Sequence, residues 1–254
     1  MAQSNKVQQY WNTRGLRESL DDHSRLGGSA GFREHPVWFG ALPPLLERPA
    51  GGRVIRRIAD MGSGTGIIAE YLARLGYEVI AVEFAESRAR LAEQRLAPYP
   101  MASVRVGDVA DPPIAPGEID AVISRNLLWL LPDPLAVLER WALLTGKNGR
   151  IAAIDSTRRL DHRKRRAGLT EFSKHLLSKK KPAAHSAQLL QTSAAPLANI
   201  RTPDESAGYW RQAGLLNVSA QDLSWITAVK EHYEHPVSRY LSVSKYYSVI
   251  GDCP

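Results

Sequence analysis

The chain has 254 residues, 44% of them hydrophobic and 23% charged, the balance of a globular protein able to bury a substantial core in one domain. Its one cysteine, Cys253, excludes intrachain disulfides, cysteine-ligated zinc and iron–sulfur clusters. The formal charge of +7 is not spread evenly: ten Lys and Arg fall between Arg158 and Lys181 against Asp161 and Glu171, which leaves the rest of the chain at −1. No apolar run approaches the roughly 20 residues of a membrane span. The first ten residues are polar, so a cytoplasmic protein without membrane contact is expected.

In chain order, the first fifty residues hold expected helices at 7–12 and 37–46, forming an N-terminal helical lid over residues 1–52. The core, 53–254, opens with a strand ending at Asp60. A helix follows at 67–75, started by the glycine loop so that its dipole and free N–H groups point at a ligand. Val79-Ile80-Ala81-Val82 is a β-branched run suited to a strand buried on both faces. A helix at 85–97 leads to strand 102–106, and a fourth strand spans 119–123. Asp133 and Pro134 read as N-cap and first position of a helix at 134–144. A fifth strand at 150–154 precedes a basic lid insertion, 157–202. A helix at 203–213, a strand at 217–226 and its partner at 240–250 complete the chain. The alternation predicts an α/β fold, a doubly wound parallel sheet finished by an antiparallel edge hairpin.

Ile58-Ala59-Asp60-Met61 runs into Gly62-Ser63-Gly64-Thr65-Gly66, and the glycine spacing decides what such a loop holds. In the dinucleotide fingerprint the last two glycines stand three apart, leaving room for a pyrophosphate. Here Gly64 and Gly66 stand two apart. The tighter loop is expected to turn its N–H groups toward a small zwitterion, with Asp60 within reach of an ammonium. Glu83 comes one strand, one helix and one strand later, the place from which an acid accepts hydrogen bonds from ribose hydroxyls. Asp108, in Gly107-Asp108-Val109, can accept from an adenine amino group while its neighbour's backbone faces the ring.

Together these residues resemble the motifs of class I S-adenosylmethionine-dependent methyltransferases, over roughly 7–250 and most strongly over 58–126. The resemblance implies a Rossmann-like doubly wound seven-stranded sheet. It implies that S-adenosyl-L-methionine is held by Asp60, Gly62, Ser63, Gly64, Thr65, Gly66, Glu83, Phe84, Arg88, Gly107, Asp108, Val109, Arg125 and Asn126. Gln9-Tyr10-Trp11-Asn12-Thr13-Arg14 looks like the lid of the family's bacterial small-molecule branch. Tyr10 and Arg14 are the expected cofactor contacts, Arg14 through the methionine carboxylate. Trp11 is expected to fix the helix to the core.

After the fourth strand, amino-methylating nucleic-acid enzymes carry Asn or Asp, two prolines and an aromatic. This chain has Ser124-Arg125-Asn126-Leu127-Leu128-Trp129 instead, similar to the small-molecule branch. A cysteine-dependent cytosine-C5 mechanism needs a cysteine inside the pocket and is not expected, because the one cysteine, Cys253, stands next to the C-terminus. The expected acceptor is an aromatic or nitrogen-heterocyclic metabolite of bacterial specialised metabolism, such as antibiotic biosynthesis, methylated at N, O or C. Trp38, Trp129, Trp225 and Tyr233 are its candidate contacts. His35 is the candidate base, ahead of His162, His232 and His235. No metal is expected, because Asp155 and Asn126 are too sparse for a magnesium site. The protein is expected to be a monomer or homodimer. The alternative is an RNA methyltransferase using 158–181 to bind phosphates, against which stands the lack of interleaved aromatics other than Phe172. A third reading, a non-catalytic scaffold, calls for a damaged cofactor site, whereas these motifs are intact.

Overall fold

The computed structural model describes residues 2–16, 35–157, 195–233 and 245–254. In chain order its elements are α1 (Ala2–Gly15), α2 (His35–Leu45), β1 (Arg57–Met61), α3 (Ile67–Arg74), β2 (Glu78–Glu83), α4 (Glu86–Leu96), β3 (Ala102–Val106), β4 (Ala121–Arg125), α5 (Pro134–Thr145), β5 (Arg150–Thr157), α6 (Pro203–Gln212), β6 (Leu216–Asp222), α7 (Ser224–Tyr233) and β7 (Lys245–Asp252). Short 3₁₀ turns at Leu128–Leu130 and Pro196–Asn199 pack beside each other.

The strands form one seven-stranded sheet in the order β3-β2-β1-β4-β5-β7-β6. β1 to β5 are parallel, and β7 runs antiparallel between β5 and β6. This is the doubly wound sheet read from the sequence. The strand order reverses between β1 and β4, so the crevice outside their C-terminal ends is where such a sheet binds ligands.

Each sheet face buries its own core. Ile58, Ala81, Ile123 and Ile154 face α2, α3 and α7, where Trp38, Leu42, Leu72 and Ile226 cover them. Ala59, Val82, Val122 and Ile151 face α5 and α6, under Trp141, Leu138 and Trp210. The β-branched residues at 79–82 are all buried, as a strand covered on both faces requires. Asp133 caps α5 by accepting from the Ala136 N–H at 3.0 Å, ahead of Pro134. At the opposite end of the sheet from the crevice, the buried Arg150 reaches Asp252 at 2.7 Å and donates to the Glu47 carbonyl at 2.6 Å. The segment joining α2 to β1 is thereby tied to β5 and β7.

One stretch departs from expectation. Residues 217–226 read as a single strand, yet β6 ends at Asp222 and α7 begins at Ser224. The Asp222 carboxylate accepts from the Ser224 N–H at 2.6 Å, turning the chain. Leu223 and Ile226, three apart, then both enter the core while Trp225 stays 42% exposed. The helical period has replaced the alternating one. Of the expected partner strand, 245–250 is in β7, and 240–244 lie outside the described residues.

α3 opens at Gly66, which has φ 79°. A Cβ there would lie 3.1 Å from Ala92 Cβ and 3.2 Å from Ala92 Cα. Gly66→Ala is therefore expected to lower stability by about 1–3 kcal/mol, from the left-handed backbone and the clash with α4 together. A thermal melt unchanged by this substitution would contradict the close approach of the two helices.

Candidate active site

A cavity of about 730 Å³ opens at the C-terminal strand ends. Its walls include Asp60, Gly62, Ser63, Gly64, Thr65, Glu83, Phe84, Arg88, Asp108, Val109, Arg125 and Asn126, so the structure brings most of the expected cofactor residues together. Apart from Arg88, in the first turn of α4, each comes from a strand end or the turn after it. The βα connectivity places these turns on one edge of the sheet, which is why residues 66 positions apart in sequence meet.

The glycine loop works differently from its sequence reading. Gly62 and Ser63 N–H both donate to the Val82 carbonyl, at 2.9 and 3.0 Å, and Gly66 N–H donates to the Ser63 carbonyl at 3.0 Å. Gly64 N–H donates to Glu83 Oε2 at 2.8 Å. These donors are engaged within the protein rather than turned toward a ligand. What the loop provides is close approach: Gly62 and Gly64 have φ 68° and 60° and add no side chain to the wall. A Cβ at Gly62 would press on Leu127 at 3.0 Å.

Two acids stand at the centre of the wall. Asp60 is 1% exposed, and its Oδ2 accepts from the Ala69 N–H of α3 at 3.0 Å. Burial pushes its carboxyl up to about 7, against the opposing pull of the Arg125 charge and the Ala69 amide. Glu83 accepts from Gly64 with one oxygen and from the Ala85 N–H with the other at 2.9 Å, joining the glycine loop to the start of α4. Burial also raises Glu83, with the Arg88 charge and these amides acting the other way. Asp108 accepts from the Ala110 N–H at 2.9 Å, a turn that holds its carboxylate at the end of β3. Asn126 sits in the left-handed region at φ 55°, redirecting the chain as it leaves β4.

Other expected residues fall elsewhere. Trp11 and Arg14 line the cavity, and Tyr10 does not. Gly66 and Gly107 stand behind the wall, Gly107 where a Cβ would meet Pro113 Cδ at 2.5 Å. Trp38 is fully buried in the core, beneath the Arg125 guanidinium at 5.0 Å, and not in the cavity. Trp129 packs against the core on the α5 and α6 side of the sheet. Trp225 lies on the outer surface of α7, its ring 3.6 Å from where a side chain at Gly40 would begin. His35 opens α2, and His232 and Tyr233 end α7; their side chains, together with His162, His235 and the whole 158–181 basic run, lie outside the described residues. Asp155 is 2% exposed and its carboxyl is raised to about 8 by burial, against the Leu127 and Leu128 amides. Among the described residues, no three His, Cys, Asp or Glu are grouped to hold a metal ion, and no helix is long and apolar enough to cross a membrane.

Sequence reasoning missed the apolar wall made by Val7, Leu127, Leu130, Leu131, Val137 and Ala195. The helical spacing of Val7, Trp11 and Arg14 was the signal for its lid part. Nothing local marked the others.

Residues 59–153 match the family described as Methyltransferase domain. A ubiquinone biosynthesis O-methyltransferase of Xanthomonas campestris pv. campestris (strain B100) is 35% identical over 95 residues, covering 37% of this chain and 40% of that one. The chain thus spans about two fifths of that relative's length. A ubiquinone biosynthesis O-methyltransferase of Cupriavidus pinatubonensis is 25% identical over 193 residues, 75% of this chain and 68% of that one. The geranyl diphosphate C-methyltransferase of Streptomyces coelicolor A3(2), solved with S-adenosyl-L-homocysteine, superposes with a TM-score of 0.58 at 16% identity, covering 85% of this chain and 78% of that one. Over residues 59–153 the chain is thus similar to the S-adenosylmethionine-dependent methyltransferases, and its sheet has the fold of the Streptomyces enzyme.

The residues present fit that class's cofactor. The described wall carries four carboxylates, Asp60, Glu83, Asp108 and Asp133, against three guanidiniums, Arg14, Arg88 and Arg125. The balance complements a molecule with a sulfonium, an ammonium and one carboxylate. The glycine turns leave the cavity floor unobstructed, and the volume lies within the range of cofactor sites.

Proposed function

We propose that the protein transfers the methyl group of S-adenosyl-L-methionine to a small-molecule acceptor. The observation that carries this reading is the single continuous cavity joining the acids at the strand ends to the apolar wall around Leu127, Leu130, Leu131 and Val137. In it Asp60 would hold the ammonium, Glu83 the ribose hydroxyls and Asp108 the adenine amino group. Arg14 would meet the carboxylate. When bound, the cofactor supplies an electrophilic methyl carbon. The chain's own residues then align the acceptor and keep water out, which for an in-line displacement can contribute on the order of 7–11 kcal/mol without a covalent intermediate.

The apolar wall favours an acceptor with a hydrophobic body, and the named activity of the Xanthomonas and Cupriavidus relatives, O-methylation in ubiquinone biosynthesis, is compatible with one. Specialised metabolism remains part of the proposal, as does the choice among N, O and C. Among the described residues on the wall there is no histidine, lysine or cysteine. With Asp60, Glu83 and Asp108 assigned to the cofactor and Asp133 capping α5, positioning of an acceptor that needs little help in losing its proton is the mechanism proposed.

Methyl transfer from labelled S-adenosylmethionine should be run in parallel on bacterial small-molecule extract and on total RNA, with mass spectrometry of labelled products. Label in the extract is expected and identifies the acceptor. Label confined to RNA would overturn the small-molecule reading and assign the 158–181 run to phosphate binding.

A further inference from the structure

α1 contains two adjacent stripes of residues, each at spacings of three and four, the neighbours on one helix face. Gln8, Asn12 and Gly15 form the first, and it docks on α4. The residue preceding α4, Ala85, has no side chain able to cap the helix. Asn12 supplies the cap from α1: its Oδ1 accepts from the Ser87 N–H at 3.2 Å, and Ser87 Oγ donates to the Asn12 carbonyl at 2.8 Å. Gln8 Nε2 donates to the Phe84 carbonyl at 2.9 Å. At Gly15 the helices are so close that a Cβ would lie 2.2 Å from Ser87 Oγ. One orphan N–H in the first turn of α4, that of Ser87, and the Phe84 carbonyl in the turn after Glu83 are thus satisfied by a segment 75 and 76 residues away.

Val7, Trp11 and Arg14 form the second stripe, and all three line the cavity. The Trp11 ring has the Arg88 guanidinium 4.6 Å from its centroid and the Arg14 guanidinium 5.2 Å from it, with Tyr10 edge-on at 5.1 Å. Two like charges brought to one wall repel, and an aromatic face attracts each of them. Arg88 in turn lies within 3.4 Å of where a side chain at Gly64 would begin.

We propose that Trp11 is a positioning residue of the cofactor site, holding Arg14 and Arg88 on the cavity wall from a helix that Asn12 docks onto α4. The inference rests on the reading of this cavity as the S-adenosylmethionine site. It assigns to Trp11 more than attachment of the lid, and it makes α1 part of the site rather than a cover over it.

The test uses the full-length protein with Trp11→Ala, Trp11→Phe, Asn12→Ala and Asn12→Asp, all checked for an unchanged fold by circular dichroism. S-adenosylhomocysteine binding is measured by calorimetry, and the ring-current shifts of the Arg88 and Arg14 side-chain protons are measured by NMR without ligand. Trp11→Ala and Asn12→Ala should each weaken binding tenfold or more and move the Arg88 protons to unshifted positions. Trp11→Phe and Asn12→Asp, which keep a ring and a cap, should stay within threefold of the unaltered protein. Trp11→Ala binding within twofold of the unaltered protein would overturn the proposal, as would Arg88 shifts unmoved by it. If the unaltered protein binds no S-adenosylhomocysteine, the proposed function fails, and the ligand-free shifts still decide whether Trp11 positions the guanidiniums.

Discussion

Replacing Glu83 with alanine is expected to weaken binding of S-adenosylhomocysteine by a hundredfold or more, about 3 kcal/mol. Two losses combine. The ribose hydroxyls would lose a charged acceptor, worth about 1.5–3 kcal/mol. The Gly64 and Ala85 N–H groups, now 2.8 and 2.9 Å from the carboxylate, would also lose their partner. Glu83 is 2% exposed, so little water can take its place. The glycine loop would be released from the start of α4, and the shape that lets a ligand approach Gly64 would loosen with it. Glu83→Gln separates the two contributions. Its amide oxygen can still accept, but its NH₂ must face one of two backbone donors, so an intermediate loss is expected. Calorimetric titration of both variants against the unaltered protein reads the effect. Equal affinity in all three would remove Glu83 from the binding site and leave it as a strut between β2 and α4.

Most of the central fold was legible because its signals are local. A buried β-branched strand such as 79–82, a Pro134 behind an Asp133 cap, and glycines at left-handed turns each report on residues within one turn of themselves. The acids at 60, 83 and 108 could be read as site residues because a parallel sheet puts all its strand ends on one edge. Trp225 and Trp38 show where such reading stops. An aromatic marks apolar surface without saying which neighbour covers it: Trp38 is sealed in the core and Trp225 turns outward. Tyr10 and Trp11 are adjacent in sequence but about 100° apart around a helix, so assigning one of them to the cavity requires knowing how α1 docks. That docking is set by Asn12 against Ser87, a pairing across 75 residues with no local trace. The glycine loop shows a subtler gap. Its sequence gives the turn, but only the register of β1 beside β2 shows that its N–H groups are taken up by Val82 and Glu83.

Cofactor affinity is expected to fall about tenfold for each pH unit below 7, and the cause is Asp60. Its carboxyl titrates at about 7 in the ligand-free protein because burial disfavours the charge, whereas an exposed aspartate titrates near 4. An ammonium is held by the charged form. Below pH 7 binding must first remove a proton, at about 1.4 kcal/mol per unit; above it the affinity levels off. Stability without ligand runs the opposite way. A carboxyl raised in the folded state contributes stability that is complete below the unfolded value near 4 and is lost as pH rises through 7. Asp155, raised to about 8, extends the same trend by another unit. The ligand-free protein should therefore melt at a higher temperature at pH 6 than at pH 9, while the gain in melting temperature on adding S-adenosylhomocysteine should be larger at pH 7.5 than at pH 5.5. Asp60→Asn keeps an acceptor for the Ala69 N–H and cannot ionise. It should bind weakly at every pH and without the tenfold slope. A slope that survives in Asp60→Asn would assign the titration to another group on the wall, and with it the ammonium site.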